Sequence, residues 1–337
     1  MKKITCILMI SLLMIPMLFA QGQSEKTDEK AVEVTQLTLA IANPASDPWA
    51  QGLAVFAEEL KKLSGGTMIV DCYFGGQLYN ASNLLGAIRS GKIDFAGYSM
   101  GTMPEIPYLG MFQAAYLFRD AQHAQDFYNG EVGQRIFNEI EEKIGLTIVG
   151  TAYVGTRQVS LAKKLPDVKT PEDLKNVTLR MPGGSSWAAL AGALGANPVP
   201  IALNEVFMAL KTGVVDGQDN ALPTTKANSF DEVIDQLVLT EHVVWNLHLA
   251  VNAKRWNQFS DQQKEWIREA SQIGCDFTTN SFLATEQSLK EEFEQKGIRI
   301  VTPNKKAFID YAENFYRNMT DESKNWDWEI YDALKNY

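Results

Sequence analysis

From Leu37 to Tyr98 short apolar runs alternate with amphipathic stretches, and this alternation limits the folds open to the chain. Residues 37–41, 68–74 and 93–98 read as strands. Residues 49–63 and 80–90 read as helices between them, with Asn43-Pro44, Ser64-Gly65-Gly66, Gly75-Gly76 and Gly91 as stops. Strand, helix, strand, helix, strand at this spacing makes a parallel sheet with right-handed crossovers. Ligands of such sheets sit beyond the carboxyl ends of the strands. Those ends carry Asn43, Gln77 and Ser99.

A second round of alternation begins near residue 155. Residues 121–144 are mostly helical, and 146–153 form a strand that 155–160 continue. Thr170-Pro171 opens a helix, with Thr170 as N-cap and proline at the first position. Strands at 177–181 and 198–201, and a strand that runs into a polar turn over 214–220, then alternate with helices at 187–194 and 204–212, the latter capped by Asn204. Residues 242–252 add a further apolar strand, and 308–337 read as an aromatic-rich helical end. A chain of 337 residues exceeds one typical small domain, so two lobes are expected.

Ser260 to Lys296 contains no proline and one internal glycine, Gly274. As one helix it is about 55 Å long, wider than a single lobe. Trp266, Ala270, Ile273 and Phe277 share a stripe. Phe282, Leu289 and Phe293 lie about 140° around the axis at about 100° per residue. Two readings follow. Either two helices break near Gly274, or one strut packs first on one lobe and then on the other, with Gly274 at a bend.

Lys2 and Lys3 precede an apolar run over 4–19 and a small-residue cleavage site at Leu18-Phe19-Ala20. This pattern is an export signal over 1–20, followed by a polar, disordered tether over 21–35. The alternative is an uncleaved anchor. Hydrophobic content of 45% and charged content of 21% are those of an ordinary soluble globular chain. The formal charge of -10 argues against nucleic acid and anionic membrane surfaces as partners. Cys72 and Cys275 sit in different sequence contexts and read as free thiols rather than a disulfide pair. Three scattered histidines offer neither a zinc site nor a catalytic triad, and no glycine-rich phosphate loop is present. The sequence therefore calls for no metal and no cofactor. Asp216 and Asp219 can be an acid–base pair in principle. The simpler account closes a turn with Asp216 and puts Asp219 in a polar loop.

Strand 177–181 places Arg180 just before Pro182-Gly183-Gly184. A guanidinium at a half-buried strand end needs a partner. One reading is a structural ion pair with a nearby Asp or Glu. The other is a two-point grip on a ligand carboxylate. An exported, acidic, two-lobed chain without catalytic apparatus is most simply a solute receptor.

Several stretches resemble the extracytoplasmic solute-binding subunits of tripartite ATP-independent periplasmic (TRAP) transporters, from about residue 36 to beyond 310. They are Gly155-Thr156-Arg157-Gln158, Leu179-Arg180-Met181-Pro182, Asn204-Glu205-Val206-Phe207-Met208-Ala209-Leu210 and Gly213-Val214-Val215-Asp216-Gly217-Gln218-Asp219-Asn220, with Gly76-Gln77-Leu78 and the helix from Ser260. The resemblance implies an α/β, two-lobed periplasmic binding protein fold. Each lobe is a mixed or parallel sheet flanked by helices, and two crossing strands and a long hinge helix join them. The expected lobes are 36–154 plus 246–285 and 155–245 plus 286–337. The resemblance implies that Arg180 clamps a ligand carboxylate, that Arg157 and Asn220 contact the same end, and that a membrane permease driven by an ion gradient takes the ligand. Sialate-type members carry first-lobe acidic groups where Ser99, and Asn80 or Ala81, stand here, and an aromatic where Leu203 stands. These departures favour a more apolar carboxylate than a sugar acid. Trp49, Tyr98, Trp187 and Trp245 are candidates to line the cleft, each with core packing as the alternative. A third reading is an envelope binding protein for a larger apolar ligand, working with an accessory protein.

Overall fold

The computed structural model describes residues 34–319 and 321–336. The expected export signal lies outside them, as does the expected tether except its last two residues, and Thr35 already belongs to a strand. The strands are β1 (Thr35–Ala40), β2 (Met68–Tyr73), β3 (Phe95–Tyr98), β4 (Leu146–Leu161), β5 (Thr178–Met181), β6 (Asn197–Pro200), β7 (Gly217–Asn220), β8 (Gln236–Asn252) and β9 (Arg299–Val301). One mixed sheet holds them in the order β2-β1-β3-β8-β4-β7-β5-β6, with β9 on β8.

This order is two parallel triplets joined by one long antiparallel pair. β1 lies parallel between β2 and β3, and β5 lies parallel between β6 and β7. β4 and β8, of 16 and 17 residues, run antiparallel between the triplets. β3 pairs with residues 248–251 at one end of β8, whereas β7 pairs with residues 158–161 at the far end of β4. The fully parallel sheet expected over 37–98 is correct locally and becomes mixed where β3 meets β8.

The β4–β8 register shifts three times. At one shift, between Tyr153 and Thr156, Gly155 has φ +93°. A Cβ there would stand 2.4 Å from Ala221 Cβ and 2.9 Å from Phe282. Only glycine fits both the angle and the space. The Thr156 N–H donates to Glu286 at 2.8 Å and the Tyr153 hydroxyl donates to the same carboxylate, so a carboxylate from the long helix closes the bulge.

The helices are α1 (Pro48–Leu63), α2 (Leu84–Arg89), α3 (Ala121–Asn129), α4 (Glu131–Ile144), α5 (Ser185–Ala193), α6 (Val206–Lys211), α7 (Leu222–Ala227), α8 (Ala253–Trp256), α9 (Asp261–Gln295), α10 (Lys305–Asn318) and α11 (Trp328–Asn336). The Thr170 start leads into a single 3-10 turn closed by a reciprocal Thr170–Asp173 capping box. Asn204 is no cap: it lies inside a 3-10 turn over Leu203–Glu205.

Of the two readings of residues 260–296, one continuous helix is correct. Ser260 caps it, with Gln263 completing a capping box. Ile267, Ala270, Cys275 and Phe282 pack in the main apolar core. Phe293 packs with Val206, Leu210 and Phe230 in a second, separate core. The expected first stripe is only half right: Ala270 is buried and Trp266 packs against the core. Ile273 and Phe277 are exposed, and the buried face is Ala270, Ser271, Gly274, Cys275, Thr278 and Thr279. A Cβ on Gly274 would meet Gly52 O at 2.6 Å, and one on Gly52 would meet Thr278 Oγ1 at 1.9 Å and Gly274 O at 2.6 Å. Gly274 therefore serves the close crossing of α9 over α1. Small residues mark the buried face because large ones do not fit it. Cys275 is buried on the same face and Cys72 is half-buried; both are free thiols.

Gly274→Ala forces a methyl group between two backbones and should cost about 1–3 kcal/mol. Gly86→Ala in α2 meets nothing within 4 Å and should be neutral or stabilising by about 0.4–1 kcal/mol. Denaturant melts of the two variants check this contrast; equal costs would remove the close-crossing account.

Candidate functional site

Both triplets direct the carboxyl ends of their strands into one cavity of about 720 Å³. The first supplies Asn43 and Asp47 after β1, Asn80 and Ser82 after β2, and Tyr98, Ser99 and Thr102 after β3. The second supplies Arg180 and Gly184 from β5 and its turn, Ile201 and Leu203 after β6, and Asn220 and Thr224 from β7 and α7. The crossing pair adds Arg157, Trp245 and Leu247, α5 adds Trp187, and α9 adds Phe282.

Ten residues were expected at the site, and the cavity brings eight together: Arg180, Arg157, Asn220, Asn43, Ser99, Trp187, Leu203 and Trp245. Gln77 and Trp49 are the exceptions. Gln77 is exposed on the bend after β2. Trp49 is 1% exposed, and its indole fills the space that a side chain on Gly97 would need. It is a core residue behind β3.

The two arginines differ in one decisive respect. Arg157 is 4% exposed and its donors are largely spent on Asp219. Its Nε donates to Oδ2 at 2.6 Å, and its Nη2 donates to Oδ1 at 3.0 Å and to the Asp219 carbonyl at 2.7 Å. Its guanidinium carbon lies 4.9 Å from the Trp187 ring centre and 5.3 Å from that of Trp245, so two indoles hold the fork in place. Arg180 is 3% exposed, and its Nε donates to Ile201 O at 2.8 Å. Among the described residues no hydrogen bond engages its Nη1 or Nη2, and no carboxylate is within 4.0 Å of them. Burial lowers its pKa to about 10, with nearby Asp219 and Arg157 acting in opposite directions, so it stays charged at neutral pH.

Sequence reading missed three members of this group. Asp219 is a fully buried residue of β7, not part of a polar loop. Burial alone would raise its pKa, but the charge of Arg157 and the hydrogen bonds from His242 and Arg157 outweigh that and hold it well below the usual carboxylate range. His242 Nε2 lies 3.2 Å from Asp219 Oδ2, and its Nδ1 lies 2.8 Å from Thr240 Oγ1. Burial keeps this imidazole neutral. Its proton sits on Nε2, because the other tautomer would aim a lone pair at a carboxylate. A register jump opposite Arg157 and Val159, where β8 moves from Val243 to Val238, lets His242 reach Asp219. The third is Asp47, the fully buried N-cap of α1. Its only sequence signal is its place before Pro48 at a helix start. Asn220 is fixed by a relay: Gln218 Nε2 donates to Ser160 Oγ at 2.7 Å, so its Oε1 accepts from Asn220 Nδ2 at 2.6 Å.

Residues 39–323 match the model of the DctP family, described as bacterial extracellular solute-binding protein, family 7. This chain is a family 7 extracellular solute-binding protein. Such proteins are the periplasmic solute-binding subunits of TRAP transporters. The chain is similar to the sialic acid-binding periplasmic protein SiaP of Vibrio cholerae serotype O1, at 29% identity over 78% of this chain and 81% of that one. It is also similar to the 2,3-diketo-L-gulonate-binding periplasmic protein YiaO of Escherichia coli, at 26% identity over 78% of this chain and 80% of that one. A TRAP periplasmic solute-binding protein of Roseobacter denitrificans, solved with bound 3-deoxy-D-manno-oct-2-ulosonic acid, superposes with a TM-score of 0.85 at 29% identity, covering 90% of this chain and 99% of that one. The family places the α/β fold and the solute-binding role together.

The buried histidines give this solute-binding protein a defined acid response. Burial drives His248 down to about 3. The unfolded histidine titrates near 6.5. Between those values the unfolded state binds a proton that the folded state refuses, so stability falls as pH drops below about 6.5. The slope from this one residue approaches about 1.4 kcal/mol per pH unit. Denaturant melts of the parent and of His248→Gln between pH 7 and 5 should differ in slope by that amount; identical slopes would mean that the imidazole ionises in place.

Proposed function

We propose that this chain is the carboxylate receptor of a TRAP transporter. The observation that carries the reading is the state of Arg180. It is a buried, charged guanidinium whose two terminal nitrogens meet no protein acceptor and whose cavity has room for a ligand of drug-like size. Leaving such a charge unpaired is costly. A ligand carboxylate supplies the missing partner through two parallel hydrogen bonds. Arg157, held by Asp219 and both tryptophans, retains Nη1 to donate to the same carboxylate, and Asn220 adds an amide from β7.

The site is built for binding rather than turnover. An acid–base reading needs Asp216 or Asp219 free. Asp216 instead accepts from the Thr178 N–H and hydroxyl and pairs with Lys163, while Asp219 is committed to Arg157 and His242.

The lobes are residues 36–154 plus 246–285 and 155–245 plus 286–337, with the cavity as the cleft between them. Ligand that touches both walls favours the closed state. The protein then hands its ligand to a membrane permease from the periplasm, after removal of an export signal over residues 1–20.

Arg180→Ala should lose about 2–5 kcal/mol of binding free energy, which exceeds tenfold in affinity. Arg180→Lys should also weaken binding, because an ammonium cannot grip two oxygens in one plane. Calorimetric titration with the carboxylate identified by mass spectrometry of the purified protein measures both. Near-parental affinity in a folded Arg180→Ala protein removes the reading. Small-angle scattering tests the lobes: saturating ligand should shrink the radius of gyration, and an unchanged radius counts against closure.

A further inference from the structure

The charges on the cavity wall say more than that a carboxylate is bound. Among the residues lining it only Asp47, Arg157 and Arg180 are charged. The positive charge of Arg157 is cancelled by Asp219 behind it. One cation without a carboxylate partner remains, Arg180, and the one acid on the same wall is Asp47. A second carboxylate on the same ligand finds no second cation on this wall.

Asp47 is built in rather than loosely placed. Its Oδ1 accepts from the Trp49 N–H at 2.9 Å and its Oδ2 accepts from Asn43 Nδ2 at 3.0 Å. The Thr224 hydroxyl, from the opposite triplet, also hydrogen-bonds to it. Burial pushes its carboxyl pKa up, while these three donors pull the other way. Two of its three partners, the Trp49 N–H and Asn43 Nδ2, can only donate, and the N-terminus of the 16-residue α1 favours negative charge. The anion is the form these bonds serve. A sphere of 720 Å³ is about 11 Å across, so a ligand anywhere in it lies within about a Debye length of Asp47, with little salt inside to screen the pair.

We propose that Asp47 is a specificity-determining residue that restricts this receptor to monocarboxylates with an uncharged tail and excludes dicarboxylates. The inference rests on the carboxylate reading above and narrows it. Asp47 acts in two ways: it repels a second carboxylate, and it turns Asn43, which lines the cavity, so that one amide hydrogen is spent on Asp47 and the carbonyl oxygen and second hydrogen are left for a neutral hydroxyl or carbonyl of the ligand. Truncation or neutralisation of Asp47 therefore alters selectivity more than it alters the grip on the first carboxylate.

The test is calorimetric titration at pH 8 with acids matched in carbon skeleton: butyrate with succinate, hexanoate with adipate, and gluconate with glucarate. In each pair that binds, the monoacid should bind the full mature chain at least about tenfold more tightly, the factor that 1.4 kcal/mol supplies. A diacid that matches or beats its monoacid partner overturns the proposal. In Asp47→Asn, which keeps the shape and removes the charge, the ratio should narrow several-fold; Asp47→Ser, which keeps a helix cap, provides the same comparison if the first variant folds poorly. An unchanged ratio in either folded variant takes the selectivity away from Asp47. If no acid of any pair binds, the carboxylate reading itself fails and takes this inference with it, a result distinct from binding without discrimination.

Discussion

The antiparallel pairing of β4 with β8 is the constraint on which the rest depends. Each strand has enough residues to serve both triplets, so the sheet is continuous from β2 to β6. Because the triplets attach at opposite ends of the pair, their carboxyl ends converge on the middle of it. The cavity therefore lies over the crossing, and Arg157 and Trp245, which belong to the crossing strands, form its floor. Register shifts along the pair are not defects. One makes room for the Gly155 turn, and another carries His242 to Asp219.

The electrostatics follow from this placement. A buried arginine beside a second buried arginine is unfavourable unless charge is supplied. The protein supplies it once, through Asp219, and assigns it to Arg157. Geometry decides the assignment: Asp219 lies on β7, directly paired with β4, so it meets Arg157 in a two-point contact. Arg180, on β5, is held by a backbone carbonyl that orients it without neutralising it. One arginine is thereby a fixed part of the wall, and the other keeps two terminal nitrogens that meet no carboxylate among the described residues.

Much of this was legible in the residues. The alternation over 37–98 and again over 177–220 located every strand of the triplets to within a few residues, because glycine or proline punctuates most of their ends. Strand-end position put Asn43 and Ser99 at the cavity but also pointed to Gln77, which is exposed outside it; Asn220 was expected there from the family resemblance. What escaped shared one cause. Asp219, His242 and Asp47 acquire their roles from partners distant in sequence, and no local pattern encodes that. Trp49 failed for the complementary reason: an aromatic early in α1 is as good a core residue as a cleft residue until the glycine opposite it, Gly97, is seen. On α9 Phe282 and Phe293 are buried as their size suggests, but Ile273 and Phe277 are exposed, because the close crossing over α1 selects small residues.

The glycine contact between α1 and α9 has a mechanical consequence. The junction consists of two glycines, the backbone and the Thr278 and Phe56 side chains beside them, so it leaves no room for even a methyl group. The first half of α9 is thus seated on α1, whereas beyond Phe282 the helix meets the sheet through side chains, with Glu286 at the Gly155 bulge. None of Gly52, Phe56, Gly274 and Thr278 lines the cavity, so side chains there can vary without disturbing the seat.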